Sequence, residues 1–183
     1  QKFPNTWKPE PNSDCTDFEL QGFRDESVVP RRFSSDNRSV YLTGVREGES
    51  YDALYRLDLQ TQQLEKVHGF ATAGVDDVIT DFANLELVGV TGYTERQTDF
   101  WLLKDNPAAQ TYQALQRAFP GQRVNVTSTS DDGRQAIVFV DSDVNPGDYY
   151  LFDTVTRRAD FLRAGRIWID PKQMRPKQPI TLK

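Results

Sequence analysis

Between Arg123 and Leu162 the chain passes through four short segments in which apolar and polar residues alternate: Val124 to Val126, Ala136 to Val140, Tyr149 to Phe152 and Ala159 to Leu162. Alternation at period two turns one side of each segment toward a core and the other outward, the pattern of half-buried β-strands. Asp131-Asp132-Gly133, Asn145-Pro146-Gly147-Asp148 and Thr154 to Arg157 separate the segments. Such residues supply the left-handed or fixed φ of tight reversals, so the stretch predicts a four-stranded antiparallel meander. Its length of about 40 residues is that of one β-propeller blade.

The pattern recurs upstream. Ser35-Asp36 precedes Ser130-Asp131 by 95 residues, and Asp58 and Thr61 precede Asp153 and Thr156 by the same interval. Val40 to Val45 matches Leu85 to Val90, 45 residues later. Steps of about 45–50 residues built from short strands exclude helical solenoids. They predict an all-β chain, a partial β-propeller of about three four-stranded antiparallel blades plus a remnant. An unrepetitive β-sandwich is the alternative.

Residues 1–27, broken by Pro4, Pro9 and Pro11, form the remnant, with Phe18-Glu19-Leu20 as the last strand of an earlier blade. Residues 28–166 hold the three blades, and 167–183 a Pro-bearing linker. The first copy, Val28 to Val67, has expected strands Val29 to Phe33, Ser39 to Val45, Ala53 to Leu59 and Gln63 to Val67. In the second, Val75 to Asp105, Phe100 to Leu103 reads as a strand buried on both faces. A helix over about 107–119 follows, with Ala108, Tyr112, Leu115 and Phe119 on one stripe, Asn106 as N-cap and Pro107 at the first position. It is expected to decorate the outer rim, its stripe packed against the core. Pro120-Gly121 ends it.

Composition bounds the partners. The net charge of −5 and the lack of a basic patch argue against nucleic acid. No apolar run approaches the ~20 residues that cross a bilayer, so no membrane partner is expected. Cys15, the one cysteine, excludes an internal disulfide and reads as incidental. The chain opens on Gln1 with no signal peptide and reads as an excised piece of a longer protein.

Few residues suggest chemistry. Asp141, Asp143 and Asn145 occupy positions 1, 3 and 5 of a calcium-loop pattern, and Asp148 adds one oxygen. Pro146 and Phe152 stand where that loop needs Gly and a bidentate Glu, so Asp141, Asp143 and Asp148 are weak metal candidates and no cofactor is expected. No G-x-S-x-G elbow exists; Gly48-Glu49-Ser50-Tyr51-Asp52 fails at its last position. The one histidine, His68, reads as a solvated loop residue before Gly69. With no triad, this chain is expected to be no enzyme and to hold no catalytic residue. Asn37-Arg38-Ser39 and Asn125-Val126-Thr127 match glycosylation sequons, read as coincidences in strand-like settings.

Three stretches, WLLKDNPAAQTYQALQRAFPGQRV, STSDDGRQAIVFVDSDVNPGDYYLFD and WIDPKQMRPKQPITLK, together resemble bacterial serine peptidases of the prolyl oligopeptidase family over about Ser34 to Lys183. That resemblance implies a β-propeller followed by an α/β-hydrolase domain. Trp168, Asp170 and Pro171 match the strap between the two, and Ile180 to Lys183 the start of the hydrolase sheet. Ile167 departs from the Pro often found before the Trp. The implied role is gating of peptide substrates, with the missing hydrolase domain as partner and a bacterial periplasmic or secreted parent. A stand-alone propeller scaffold binding protein or glycan is the alternative. Three blades cannot close, so Val40, Leu42, Leu57, Ala136, Val138 and Phe152 are expected on open apolar end faces that drive a homodimer. The alternative is that the first 27 residues and the strap fold back as caps.

Overall fold

The alternating segments fold as antiparallel strands. The computed structural model describes residues 20, 22–24, 28–83, 86–94, 96–178 and 180. Strands β1 (Val29–Phe33), β2 (Ser39–Gly44), β3 (Ala53–Asp58) and β4 (Leu64–His68) form a first sheet in chain order. β5 (Val75–Thr80), β6 (Leu87–Tyr93) and β7 (Gln97–Trp101) form a second sheet of three strands. Helix α1 (Pro107–Ala118) follows, and then β8 (Arg123–Thr129), β9 (Gln135–Ser142), β10 (Asn145–Asp153) and β11 (Arg158–Ala164) form a third sheet, again in chain order. The chain is therefore mostly β, with three up-and-down sheets that do not close on one another. Cys15, and Phe18 and Glu19 of the expected strand, lie outside the described residues.

One turn recurs in all three sheets. Ser34 N donates to Ser39 O at 2.9 Å, Asp81 N to Glu86 O at 2.8 Å and Ser130 N to Gln135 O at 2.8 Å. In the outer two, the serine Oγ donates to Asp36 or Asp132 at 2.7 and 2.6 Å. The same Oγ accepts the N–H of Ser39 or Gln135, both at 2.9 Å. Asn37 (φ 55°) and Gly133 (φ 66°) take the left-handed position that such a turn needs. These bonds equate Ser34, Asp81 and Ser130, so the steps are 47 and 49 residues and the sequence matches at Val40 and Ser35 had slipped by two and by one. At the far end the 95-residue interval holds: Asp58 Oδ1 accepts from the N–H of Gln60 and Thr61, as Asp153 Oδ1 does from Val155 and Thr156.

The sheets stack face to face in chain order. Leu54, Val75, Leu87 and Val90 share one apolar cluster between the first and second sheets, with Tyr41, Val67, Phe70 and Phe100 packed around it. Ile79, Val88 and α1 join Val124, Ala136, Val138, Val140 and Phe152 of the third sheet in the largest cluster. The outer face of the first sheet, with Leu42, Tyr55 and Leu57, is covered by Leu20, Phe23 and Val28. Gly22 O accepts from Glu47 N at 3.0 Å, and Arg24 N donates to Val45 O at 2.9 Å, which ties this cover to the sheet.

Several expectations change. Leu42, Leu57, Ala136, Val138 and Phe152 are buried and Val40 half-buried, so they form no open end faces. Leu20, Phe23 and Val28 cover the first sheet's outer face, as the alternative of an N-terminal cap expected, whereas Ala136, Val138 and Phe152 lie on the third sheet's inner face, against the second sheet and α1. The helix packs by the expected stripe: Ala108, Tyr112 and Leu115, joined by Ala109, lie inside the largest cluster, with Phe119 against it. Its cap is the expected one, Asn106 Oδ1 accepting from Ala108 N at 2.7 Å. Phe100 to Leu103 is not a strand buried on both faces. β7 ends at Trp101, because the N–H groups of Leu102 and Leu103 both turn onto Val88 O, and Leu103 is exposed. The reversal expected at Asn145-Pro146-Gly147 falls instead at Asp143-Val144. Pro146 and Gly147 are buried in a bulge of β10, where the missing N–H of proline breaks no ladder bond.

Candidate functional site

A cleft of about 110 Å³ opens between the second and third sheets, walled by α1. Alternation along β7 places Gln97 and Asp99 on the side of Trp101, facing this cleft, while Phe100 points the other way into the joint with the first sheet. Asp99 accepts from Gln97 Nε2 at 3.1 Å and also from Gln116 Nε2 of the helix. Asp76 and Asp77 line the wall from β5, exposed and, among the described residues, in no ion pair. Gln97 Oε1 is closed off from solvent with no hydrogen-bond partner.

Arg123 at the start of β8 closes the rim. It holds Asp141 through two bonds of 2.7 and 2.6 Å and donates to Tyr93 Oη at 2.9 Å. That bidentate pairing, with the Tyr93 bond, holds the guanidinium pKa above its ordinary value and leaves little of its charge for the cleft. At the floor, burial raises the Tyr112 phenol, and the carboxylates of Asp77, Asp81 and Asp99 add to the effect. The cleft is therefore rich in acceptors, and its size suits one side chain rather than the roughly 300–1,000 Å³ of a small-molecule site. Beside it, Trp101, Lys104, Gln113, Gln116 and Arg117 border an open groove on the helix surface.

No family model matches the chain, and no curated protein gives a significant match.

The weak metal candidates do not converge. Asp141 is taken by Arg123, Asp143 Oδ2 accepts from Lys177 N at 2.6 Å, and Asp148 Oδ2 accepts from Asn145 Nδ2 at 3.2 Å. Among the described residues no three His, Cys, Asp or Glu side chains group as metal ligands. Millimolar calcium is accordingly expected to move the melting temperature by less than about 2 °C. A site with a dissociation constant a hundredfold below the free calcium would add about 2.7 kcal/mol and shift it by several degrees. A shift of that size in differential scanning fluorimetry, lost in Asp143→Ala, overturns this expectation.

Residues 48–52 lie in the loop before β3, not on a strand-to-helix elbow. Glu49 there pairs with Lys66 at 2.5 Å and accepts from Tyr55 Oη at 3.2 Å, and Asp52 accepts from Val75 N at 3.1 Å. Burial, then the neighbouring Glu49, pushes the Tyr55 phenol up to about 12. His68 is not a solvated loop residue. It ends β4 and stacks on Phe100, on the far face of the second sheet from Asp99. Of the sequons, Asn125 is in β8, but Asn37 sits in an exposed turn. Asp77, Gln97 and Asp99 carried no motif and Tyr112 only that of a helix stripe; the fold brings them to one cleft.

Among the described residues, no helix is long and apolar enough to cross a membrane.

Proposed function

We propose that this chain is the non-catalytic propeller portion of a prolyl-oligopeptidase-like serine peptidase, which gates peptide access to a following hydrolase domain. The observation that carries this reading is the stack itself. Up-and-down sheets follow one another face to face, and a common turn marks the same place in each. Radial repetition of small meanders is how propellers are built. The strap adds support. Gly165 N and Arg166 bind the backbone of Gly147 and Pro146 at 2.7 Å each, while Ile167 and Trp168 stand 82% and 76% exposed. Large apolar side chains held outward on an anchored segment suit a contact with a neighbouring domain.

A stand-alone propeller scaffold is the second reading. It is favoured by the covering of the first sheet's outer face by Leu20, Phe23 and Val28, which finishes one end of the stack from within the chain.

Reading the coding sequence past Lys183 separates the two. The peptidase reading expects a G-x-S-x-G elbow followed by Asp and then His. A stop codon would favour the scaffold. A fluorophosphonate probe is expected to leave this chain unlabelled and to label the extended product at the elbow serine. Stoichiometric labelling of the 183-residue chain would sink the reading.

A further inference from the structure

The joint between the first and second sheets is largely apolar, and its one imidazole is His68. His68, whose backbone pairs with Leu54 of β3, lies flat on Phe100 of β7, centroids 3.8 Å apart and planes 5° apart. Phe70 meets it edge-on at 4.7 Å and 87°. The ring is half-buried, but its Nε2 has neither solvent contact nor a hydrogen-bond partner. A neutral imidazole tolerates this, because with its proton on Nδ1 it leaves at Nε2 only a bare acceptor. The imidazolium instead places an N–H donor there, and an unpaired buried donor is costly.

The surroundings offer no compensation. The charge that acts on the ring is Lys66, a cation on its own strand. From the elements packed around the joint come Tyr41 of β2, Leu54 of β3, Val75 of β5, Val90 of β6, Phe100 of β7 and Phe70 of the intervening loop; all are apolar but for the Tyr41 phenol, which burial keeps neutral. Asp52, just before β3, accepts from Val75 N, and no carboxylate acts on the imidazole. Stacking of a cation on the Phe100 face offsets part of the cost but supplies no acceptor for Nε2.

We propose that this joint is a pH-sensitive device: neutral His68 holds the first two sheets together, and its protonation loosens them. Burial, and secondarily Lys66, lowers the folded-state pKa of the ring below its ordinary value of about 6.5. The unfolded chain then binds the extra proton, so this part of the stability is present above about pH 6.5 and is lost as pH falls toward the folded value.

The whole chain serves for the test, since His68 is its one histidine and gives a single imidazole signal by NMR. Its titration is expected below the free-histidine midpoint. Amide exchange, corrected for intrinsic rates, is expected to speed at least about tenfold in β4 and β7 between pH 7.5 and 5.5, with β9 and β10 unchanged. His68→Phe is expected to abolish that difference. A midpoint at or above the free-histidine value, or protection of β4 and β7 that stays constant through the titration, overturns the proposal. Both readouts come from the unaltered chain, so the test stands even where His68→Phe fails to fold.

Discussion

Tyr112→Ala is expected to remove about 3–5 kcal/mol of folding stability, the range for deleting a buried aromatic. Tyr112 is buried at the centre of the contact between α1 and the sheets, stacked on Phe82 at 5.0 Å and 14° and tilted against Trp101 at 6.1 Å. The cavity would open between two sheets rather than on a rim, where neither backbone can move in without unpairing its ladder. Domains of this kind carry about 5–15 kcal/mol in all, so the loss is a large share. Tyr112→Phe keeps both ring contacts and is expected to cost no more than about 1.5 kcal/mol, the worth of one hydroxyl's interactions. Gln110→Ala, on the exposed side of the helix, should stay within about 0.5 kcal/mol. Urea unfolding of the three variants decides the matter. A cost below about 1 kcal/mol for Tyr112→Ala would mean that the helix stripe does not pack as part of the core.

The first and third sheets were legible because most of their strands bury one face more than the other, which writes a period of two into the residues; β3, buried on both faces, was bounded by its polar turns. β1, β2, β3 and β4 fall within one or two residues of the expected spans. The helix was legible too, since its N-cap and stripe are local. The second sheet was misread for a physical reason. Phe100 to Leu103 is apolar throughout because Phe100 and Trp101 face different clusters, while Leu102 and Leu103 belong to a turn. No local pattern distinguishes that from a strand buried on both faces. His68 failed in the same way: a Gly follows it, as in a turn, yet what decides its setting is Phe100, far along the chain. The cleft was invisible because its walls come from β5, β7, α1 and β8, whose residues are adjacent only once the sheets stack. The end faces were misjudged because burial of Leu42 and Leu57 depends on Leu20, Phe23 and Val28, a cap that the sequence offered only as the alternative to open faces.

Gly147→Ala is the second large effect, and it rests on the bulge that replaced an expected turn. Asn-Pro-Gly is strong turn chemistry, so the segment reads as a reversal. In the fold the two-residue turn at Asp143-Val144 reverses the chain first, and the ladder slips between Asn145 and Asp148 to absorb Pro146 and Gly147. Gly147 has φ +118°, a conformation that L side chains rarely adopt. A Cβ there would also overlap the Phe139 ring, which the neighbouring strand presses against it. Left-handed strain costs about 1–3 kcal/mol. Overpacking costs a similar ~1–3 kcal/mol. The expected loss is therefore about 2–6 kcal/mol, read as a lower urea midpoint. Gly165 is the matched control, since it touches the same ring but its Cβ would meet Phe139 at 3.3 Å with no strained φ. Gly165→Ala should cost distinctly less. Combining Gly147→Ala with Phe139→Ala should show a coupling of at least about 0.5 kcal/mol, because the smaller side chain relieves the overlap and leaves only the backbone strain. If Gly147→Ala proved as mild as Gly165→Ala, or if the pair were additive, the bulge would not be held by this contact, and Asn145-Pro146-Gly147 would be free to act as the turn its residues suggest.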